Sequence, residues 1–209
     1  MITSRHWMFK FAIAGFVLAL AYFGAELAFY WAEQTRMDDL RRGKSADAGR
    51  WFIEEGVSRR FGGRAFIMAS TNSTPDDDNH FYDLSLICYG PGEAGASLLI
   101  LLYKVTITPH GLGAYPLAAG DRAKLVRTGG GSDQILALEF DAVSEALELH
   151  LNLDDPNAWK NMFAEPYSKD LPLMVRSEDG DVAFVDGSAS EHRTRQQALD
   201  VCSSANPIG

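Results

Sequence analysis

The sequence predicts a mainly β domain, an antiparallel β-sandwich or partly closed barrel with a C-terminal helix, preceded by one N-terminal transmembrane helix. Three observations carry this. Residues 11–31 are an apolar run; from Trp51 onward, short segments of period-two hydrophobicity alternate with Gly-, Asp- and Pro-rich turns; and no β-α-β rhythm interrupts them.

Between Phe11 and Ala25 there is no charged side chain, and Arg5 and Lys10 stand before the run. Extended to Tyr30 it supplies about 20 residues, enough to cross roughly 30 Å of hydrocarbon as a helix. Glu26 lies near the far end, within reach of the interface. Trp7 at one margin and Tyr30 with Trp31 at the other stand where interfacial aromatic belts form, with Phe11, Phe16 and Leu20 as apolar anchor residues. Ala19-Leu20-Ala21 matches a signal-peptide cleavage pattern, so a cleaved leader is the competing reading. A retained signal anchor accounts better for the aromatic far margin and the extra length. Small residues at Ala12, Gly15, Ala19 and Gly24 suit packing against other membrane helices.

The organisation expected is a cytoplasmic tail (1–10), a transmembrane helix (11–31), a stalk and linker (32–50), a periplasmic β domain (51–203) and a short tail (204–209). The setting is a bacterial inner membrane, crossed once. In the linker, residues 34–42 are good helix formers, able to carry the helix a turn or two past the membrane, with a break at Gly43 and residues 45–49.

The net charge of the 209-residue chain is −9, and residues 1–32 hold only Arg5, Lys10 and Glu26, so the remainder carries about −10. A field of that sign repels nucleic acid and anionic lipid headgroups, and nucleic-acid binding is set aside.

Within the domain, strands are expected over 51–57 and 64–70, the latter bounded by Gly62-Gly63 and a turn-rich TNSTPDDDN. Residues 81–89 alternate, with Tyr82, Leu84, Leu86 and Cys88 on one face and Asp83 and Ser85 on the other. Residues 97–108 read as a long central strand whose first half is buried on both faces. Residues 121–127 and 134–140 form a hairpin about a Gly-rich connection. In residues 146–153, Leu147, Leu149, Leu151 and Leu153 alternate with Glu148, His150 and Asn152, which outweighs the helix propensity of Ala, Leu and Glu. Asp155-Pro156 opens a short helix with Trp159, Met162 and Phe163 on one face. A second hairpin joins 173–176 to 182–185 through a D-G turn. The last element is a helix begun by a Ser188–Glu191 capping box, with Ala198, Leu199 and Cys202 on its apolar face.

Cys88 and Cys202 are the only cysteines. In an oxidising compartment two cysteines so placed imply a disulfide tying the last helix to the sheet; in the cytosol they would be separate buried thiols. No C-x-x-C is present, so a redox-catalytic role has no support.

Trp51 leading the first strand, Leu86-Ile87-Cys88, Val175-Arg176, Ala183-Phe184 and the run from Leu199 to Cys202 form a pattern. Over residues 51–203 it resembles small periplasmic proteins of the type VI secretion-associated TagO/VasI-like group and the invasion-associated locus B group. The resemblance implies a periplasmic β-sandwich with a disulfide and no established catalysis, and it hands over no functional residue. The membrane anchor and the segment 154–170 depart from the pattern.

Motifs for chemistry are scarce. Asp76, Asp77 and Asp78 read first as an acidic loop and second as a weak cation loop, because a calcium loop's alternate ligands, central glycine and distal glutamate are missing. The five histidines have no metal-ligand spacing, Gly129-Gly130-Gly131-Ser132 lacks a phosphate loop's lysine, and no G-x-S-x-G elbow exists. No catalytic residue, metal or cofactor is assigned. The expectation is a membrane-anchored periplasmic binding or scaffolding subunit, working with a membrane protein or envelope complex and touching the bilayer through its N-terminal helix. The alternatives are a periplasmic hydrolase using two carboxylates on a cell-wall or polysaccharide substrate, and a cleaved soluble periplasmic binder.

Overall fold

Helix α1 (Thr3–Asp47) runs without interruption for 45 residues, a length of about 68 Å. Its apolar part stands free of the domain: Phe16, Leu18, Phe23 and Trp31 are each more than 60 % exposed. Beyond Trp31 a stripe of half-buried residues at Glu33, Met37, Leu40, Arg41, Lys44 and Asp47 faces the domain. The break expected at Gly43 does not occur. A single glycine costs a helix about 1 kcal/mol, and here the turns on both sides of it pack on the sheet. The helix ends at Asp47, within the other part of the expected break, residues 45–49, and before Gly49, whose φ of +72° and contact with Val185 leave no room for a Cβ. The computed structural model describes residues 3–58, 63–92, 95–115, 117–127, 134–152, 160–163, 165–178 and 180–203.

β1 (Phe52–Ser58), β2 (Arg64–Asn72), β3 (His80–Gly92) and β4 (Gly95–Thr108) form an antiparallel meander. The far edge of β4 is shared between two partners. β8 (Ala146–Asn152) pairs with its first half, from Ser97 to Leu102, while β5 (Gly111–Tyr115) doubles back along Lys104 to Thr108. β5 was not expected from the sequence; its two glycines give it no hydrophobic alternation, and pairing with β4 is what makes it a strand. β6 (Arg122–Arg127), β7 (Gln134–Asp141), β9 (Leu173–Ser177) and β10 (Gly180–Phe184) make the second half, in the order β7-β6-β9-β10. Residues Glu139–Asp141 alone join β7 to β8, so the sheet folds over there into two layers. The edge strands β1 and β10 do not pair with each other, which leaves the barrel open.

The core lies between the layers. Leu84, Leu98, Ile100 and Leu102 meet Leu125, Leu138, Val175 and Phe184, which is the inward face of each alternating strand. The opposite face of β3 and β4 is buried as well, through Ile87, Tyr89, Leu99 and Leu101, as the continuous apolar run of β4 requires. Helix α2 (Lys160–Phe163) is a single turn that buries Met162 and Phe163. The expected cap at Asp155-Pro156, Trp159, the Gly-rich connection 128–133 and the tail 204–209 lie outside the described residues. The β9–β10 turn is tighter than expected: Ser177 pairs directly with Gly180, whose φ is +126°.

Helix α3 (Ala189–Ser203) packs on β1, β2 and β4 and sends Ala198, Leu199 and Cys202 into the core. Cys202 is bonded to Cys88 of β3, with their Cα atoms 5.5 Å apart and a separation of 114 positions in the chain. A loop of that length gives about 4–5 kcal/mol in the chain-entropy model, an upper figure. The disulfide thus fastens the last element to the most buried strand pair.

Candidate functional site

Two assemblies of polar side chains hold this molecule in shape, and of the residues singled out in the sequence as chemistry only Asp76 and Asp77 belong to either, as partners of Arg41. The first is the root of α1. Arg36 Nη1 donates to the carbonyl of Pro109 in the β4–β5 turn. Arg41 Nη2 donates to the carbonyl of Asp76 at 2.9 Å and lies 3.6 Å from the Asp77 carboxylate. Lys44 Nζ sits 5.1 Å from the centre of the Phe81 ring, a cation–π contact. Then Gly49 N–H donates to Asn72 O at 3.1 Å, and Gly49 O accepts from Gly187 N–H at 2.7 Å. The chain entering β1 is in this way hydrogen-bonded to the chain leaving β10, at the open seam of the barrel.

The second assembly sits at the same seam. The Asp186 carboxylate is 4 % exposed. Its Oδ1 accepts from Trp51 Nε1 at 2.8 Å, and its Oδ2 accepts from the Tyr167 backbone N–H at 2.9 Å and from Arg195 Nη2 at 3.0 Å. Arg195 is fully buried on the inner face of α3 and also donates to Glu165 O at 2.8 Å. Its contact with His192 Nδ1 at 2.9 Å requires that nitrogen to be unprotonated, because a guanidinium only donates. The Tyr167 ring lies 3.9 Å from the Arg195 guanidinium carbon and 4.7 Å from that of Arg127. Burial pushes the Tyr167 phenol well above its ordinary value, against the pull of Arg195. Burial likewise lowers Arg127 from its ordinary value.

None of this cluster was anticipated. The available signal was Arg195, which occupies the stripe of Ala198, Leu199 and Cys202 at spacings of three, four and seven. An arginine inside an apolar stripe calls for a buried carboxylate partner. The expected capping box of α3 is half realised: Ser188 Oγ accepts from Glu191 N–H at 3.4 Å, but the Glu191 carboxylate accepts instead from Trp51 N–H at 2.6 Å.

The Asp76–Asp78 loop is used differently from a ligand loop. Asp76 Oδ1 accepts from His80 N–H at 2.7 Å and closes a turn in which Asn79 takes a φ of 62°. Asp77 reaches Arg41, and Asp78 is exposed. Among the described residues, no group of three or more His, Cys, Asp or Glu side chains that could hold a metal ion is assembled. The anchor residues Phe16, Leu20, Tyr30 and Trp31 are all exposed along α1, which is the one helix among the described residues long and apolar enough to cross a membrane; Phe11 belongs to the same helix.

Among the described carboxylates outside α1, Asp83 is one whose value is raised. It shares the outer face of β3 with Phe81, below the end of α1. Burial pushes its carboxyl up, and Lys44 pulls it partly back. A cavity of about 90 Å³ lies between Leu102, Leu147, Asp121, Arg122, Val175 and Glu178, and next to it a more open groove of about 540 Å³ is lined by Lys124, Ile135, Leu138, Glu139, Arg176 and Glu178. The cavity falls short of the roughly 300 Å³ of a ligand pocket, and its Asp121 is committed to the backbone N–H of Ala118 at 2.7 Å; the groove is large enough, but its carboxylates Glu139 and Glu178 are exposed. Comparison with protein-family models, curated proteins and solved structures finds no match to this chain.

Replacing Asp186 tests the seam. Asp186→Asn strands the Arg195 charge in the core, and the expected loss in urea unfolding is about 3–5 kcal/mol. The double variant Asp186→Asn/Arg195→Met is expected to lose less than the sum of the two singles, and strict additivity would contradict the pairing. Asp83 gives a pH signature. Its folded value lies above its unfolded one, so below the ordinary value of about 3.9 both states are protonated and nothing is lost. As pH rises, the unfolded chain ionises first and the fold loses stability until the folded value is passed. Asp83→Asn is therefore expected to melt higher than the parent at pH 7, with the difference shrinking on acidification. A difference independent of pH would contradict the burial of this charge.

Proposed function

We propose that this chain is a single-pass membrane protein whose extracytoplasmic β domain serves as a non-catalytic binding or scaffolding subunit of a membrane-protein assembly. The setting proposed is a bacterial inner membrane with the domain in the periplasm. The observation that carries the proposal is α1 itself. From Ile13 to Trp31 it exposes large apolar side chains on all sides, a surface stable in water only if covered, while its last turns are bound into the domain.

Retention of the anchor is favoured over cleavage by the same helix. A cut after Ala21 would leave Tyr22, Phe23, Leu27, Phe29, Tyr30 and Trp31, all more than half exposed, on a helix still attached to the domain. The Cys88–Cys202 disulfide supports an oxidising compartment. The resemblance to TagO/VasI-like and invasion-associated locus B proteins points the same way and is part of the proposal. The carboxylate-hydrolase reading calls for a substrate-sized cleft around a buried acid. The groove of about 540 Å³ has the size but its carboxylates, Glu139 and Glu178, are exposed, and the buried Asp83 lies outside it beside α1.

The test is purification of the full chain from its native membranes in mild detergent. A membrane protein co-purifying at fixed stoichiometry is the expected result, together with resistance of the chain to carbonate extraction. A carbonate-resistant monomer with no stoichiometric partner would remove the scaffolding role and leave only the anchor.

A further inference from the structure

We propose that the tip of the β4–β5 hairpin, from Pro109 to Leu112, rests on the phospholipid headgroups of the bilayer that α1 crosses, meeting anionic lipid through His110 and Arg36 and the interface through Leu112. The inference rests on the reading of α1 as a spanning anchor.

Because α1 is continuous from the apolar run to Asp47, position along it is height above the membrane. Trp31 closes the apolar run. Arg36 follows five residues later, about 7.5 Å further along the axis. A bilayer of roughly 40–45 Å with a 30 Å hydrocarbon core leaves about 5–8 Å of headgroup layer on each side. Arg36 is therefore at the outer limit of that layer, and it holds the Pro109 carbonyl directly. Its Nη2 also lies 3.7 Å from the Cβ position of Gly111.

A second ruler gives the same height. Lys44 lies over Phe81, which pairs with Val105 of β4. From Lys44 to Arg36 is eight helical residues, about 12 Å, and from Val105 to Pro109 is four extended residues, about 13 Å. The end of β4 thus runs alongside α1 toward the bilayer. The acidic loop stays behind: Arg41, which binds the Asp76 carbonyl, is ten residues from Trp31, about 15 Å.

The chemistry of the turn fits this position. In a domain with a strong excess of acid, residues 95–120 contain no Asp or Glu at all. The charge that repels anionic headgroups is missing from the one ribbon that reaches them. Pro109 and His110 are exposed, and Leu112 is 48 % exposed. An exposed leucine beside a histidine and an arginine suits the boundary between acyl chain and phosphate.

The experiment uses the full chain in nanodiscs of phosphatidylethanolamine and phosphatidylglycerol containing a lipid with a nitroxide on its headgroup. A fluorophore is placed in turn on Leu112→Cys, on Glu33→Cys of α1, and on Arg64→Cys at the opposite end of the sheet, with the native disulfide intact. Quenching at position 112 is expected to approach that at 33 and to exceed that at 64 several-fold. Strong quenching at 33 with 112 no different from 64 overturns the headgroup contact while leaving the anchor in place. No quenching at 33 overturns both. On the unlabelled chain, the same lipid is expected to broaden the amide resonances of residues 110–112 and not that of Arg64; equal broadening overturns the contact independently of any substitution.

Discussion

The Asp186 carboxylate gathers donors from three separate stretches of chain: Trp51 just before the first strand, the Tyr167 backbone, and Arg195 on the last helix. Each donor comes from an element that the sheet does not hold by ladder pairing. The barrel is open between β1 and β10, and an open sheet of this kind leaves two edges to be satisfied. The seam is closed by this buried charge and by the Gly49–Gly187 backbone bond beside it. A buried ion pair gains little net stability over an apolar substitute, but it tolerates only one arrangement of its partners. Here that arrangement fixes where the chain enters the domain, and so fixes the direction in which α1 leaves it.

The disulfide and the arginine contacts extend the same constraint. Cys202 pins α3 to β3, so Arg195 approaches Asp186 on a helix held at both ends. Arg36, Arg41 and Lys44 then lay the final turns of α1 along the outer face of β3 and β4. Surface ion pairs taken singly contribute little. Three contacts along about two helical turns, in register with the strand beside them, set an orientation even where each is weak. The domain and its anchor are in this sense one body, which suits a subunit that must present a fixed surface at a fixed height.

Much of the fold was legible because it is written in periodicity. The alternation in 81–89 and 146–153 located the faces of β3 and β8, and the apolar face of α3 placed Cys202 opposite Cys88. What was not legible depends on contacts between distant residues. β5 exists because β4 is long enough to offer it an edge, and its own Gly111 and Gly113 conceal it. Gly43 read as a helix end because propensity is local, whereas the packing of Lys44 and Asp47 is not. Asp186 and Tyr167 carry no local pattern, and Trp51 marks only the lead into the first strand; Arg195, out of place in an apolar stripe, is the sequence trace of the cluster. The functional candidate in the sequence was the carboxylate-rich loop at Asp76–Asp78, and the structure uses Asp76 for turn closure and Asp77 to hold α1.

The central claim is that α1 and the β domain are rigidly joined, and a spin-label distance measurement across the junction tests it most directly. With nitroxides at Glu33 on α1 and at Val143 on the β7–β8 turn, both away from the seam, the full chain in nanodiscs is predicted to give a single narrow distance distribution. Gly49→Val, which places a side chain where Val185 already sits, should broaden it. A broad distribution in the parent chain, unchanged by that substitution, would contradict the account.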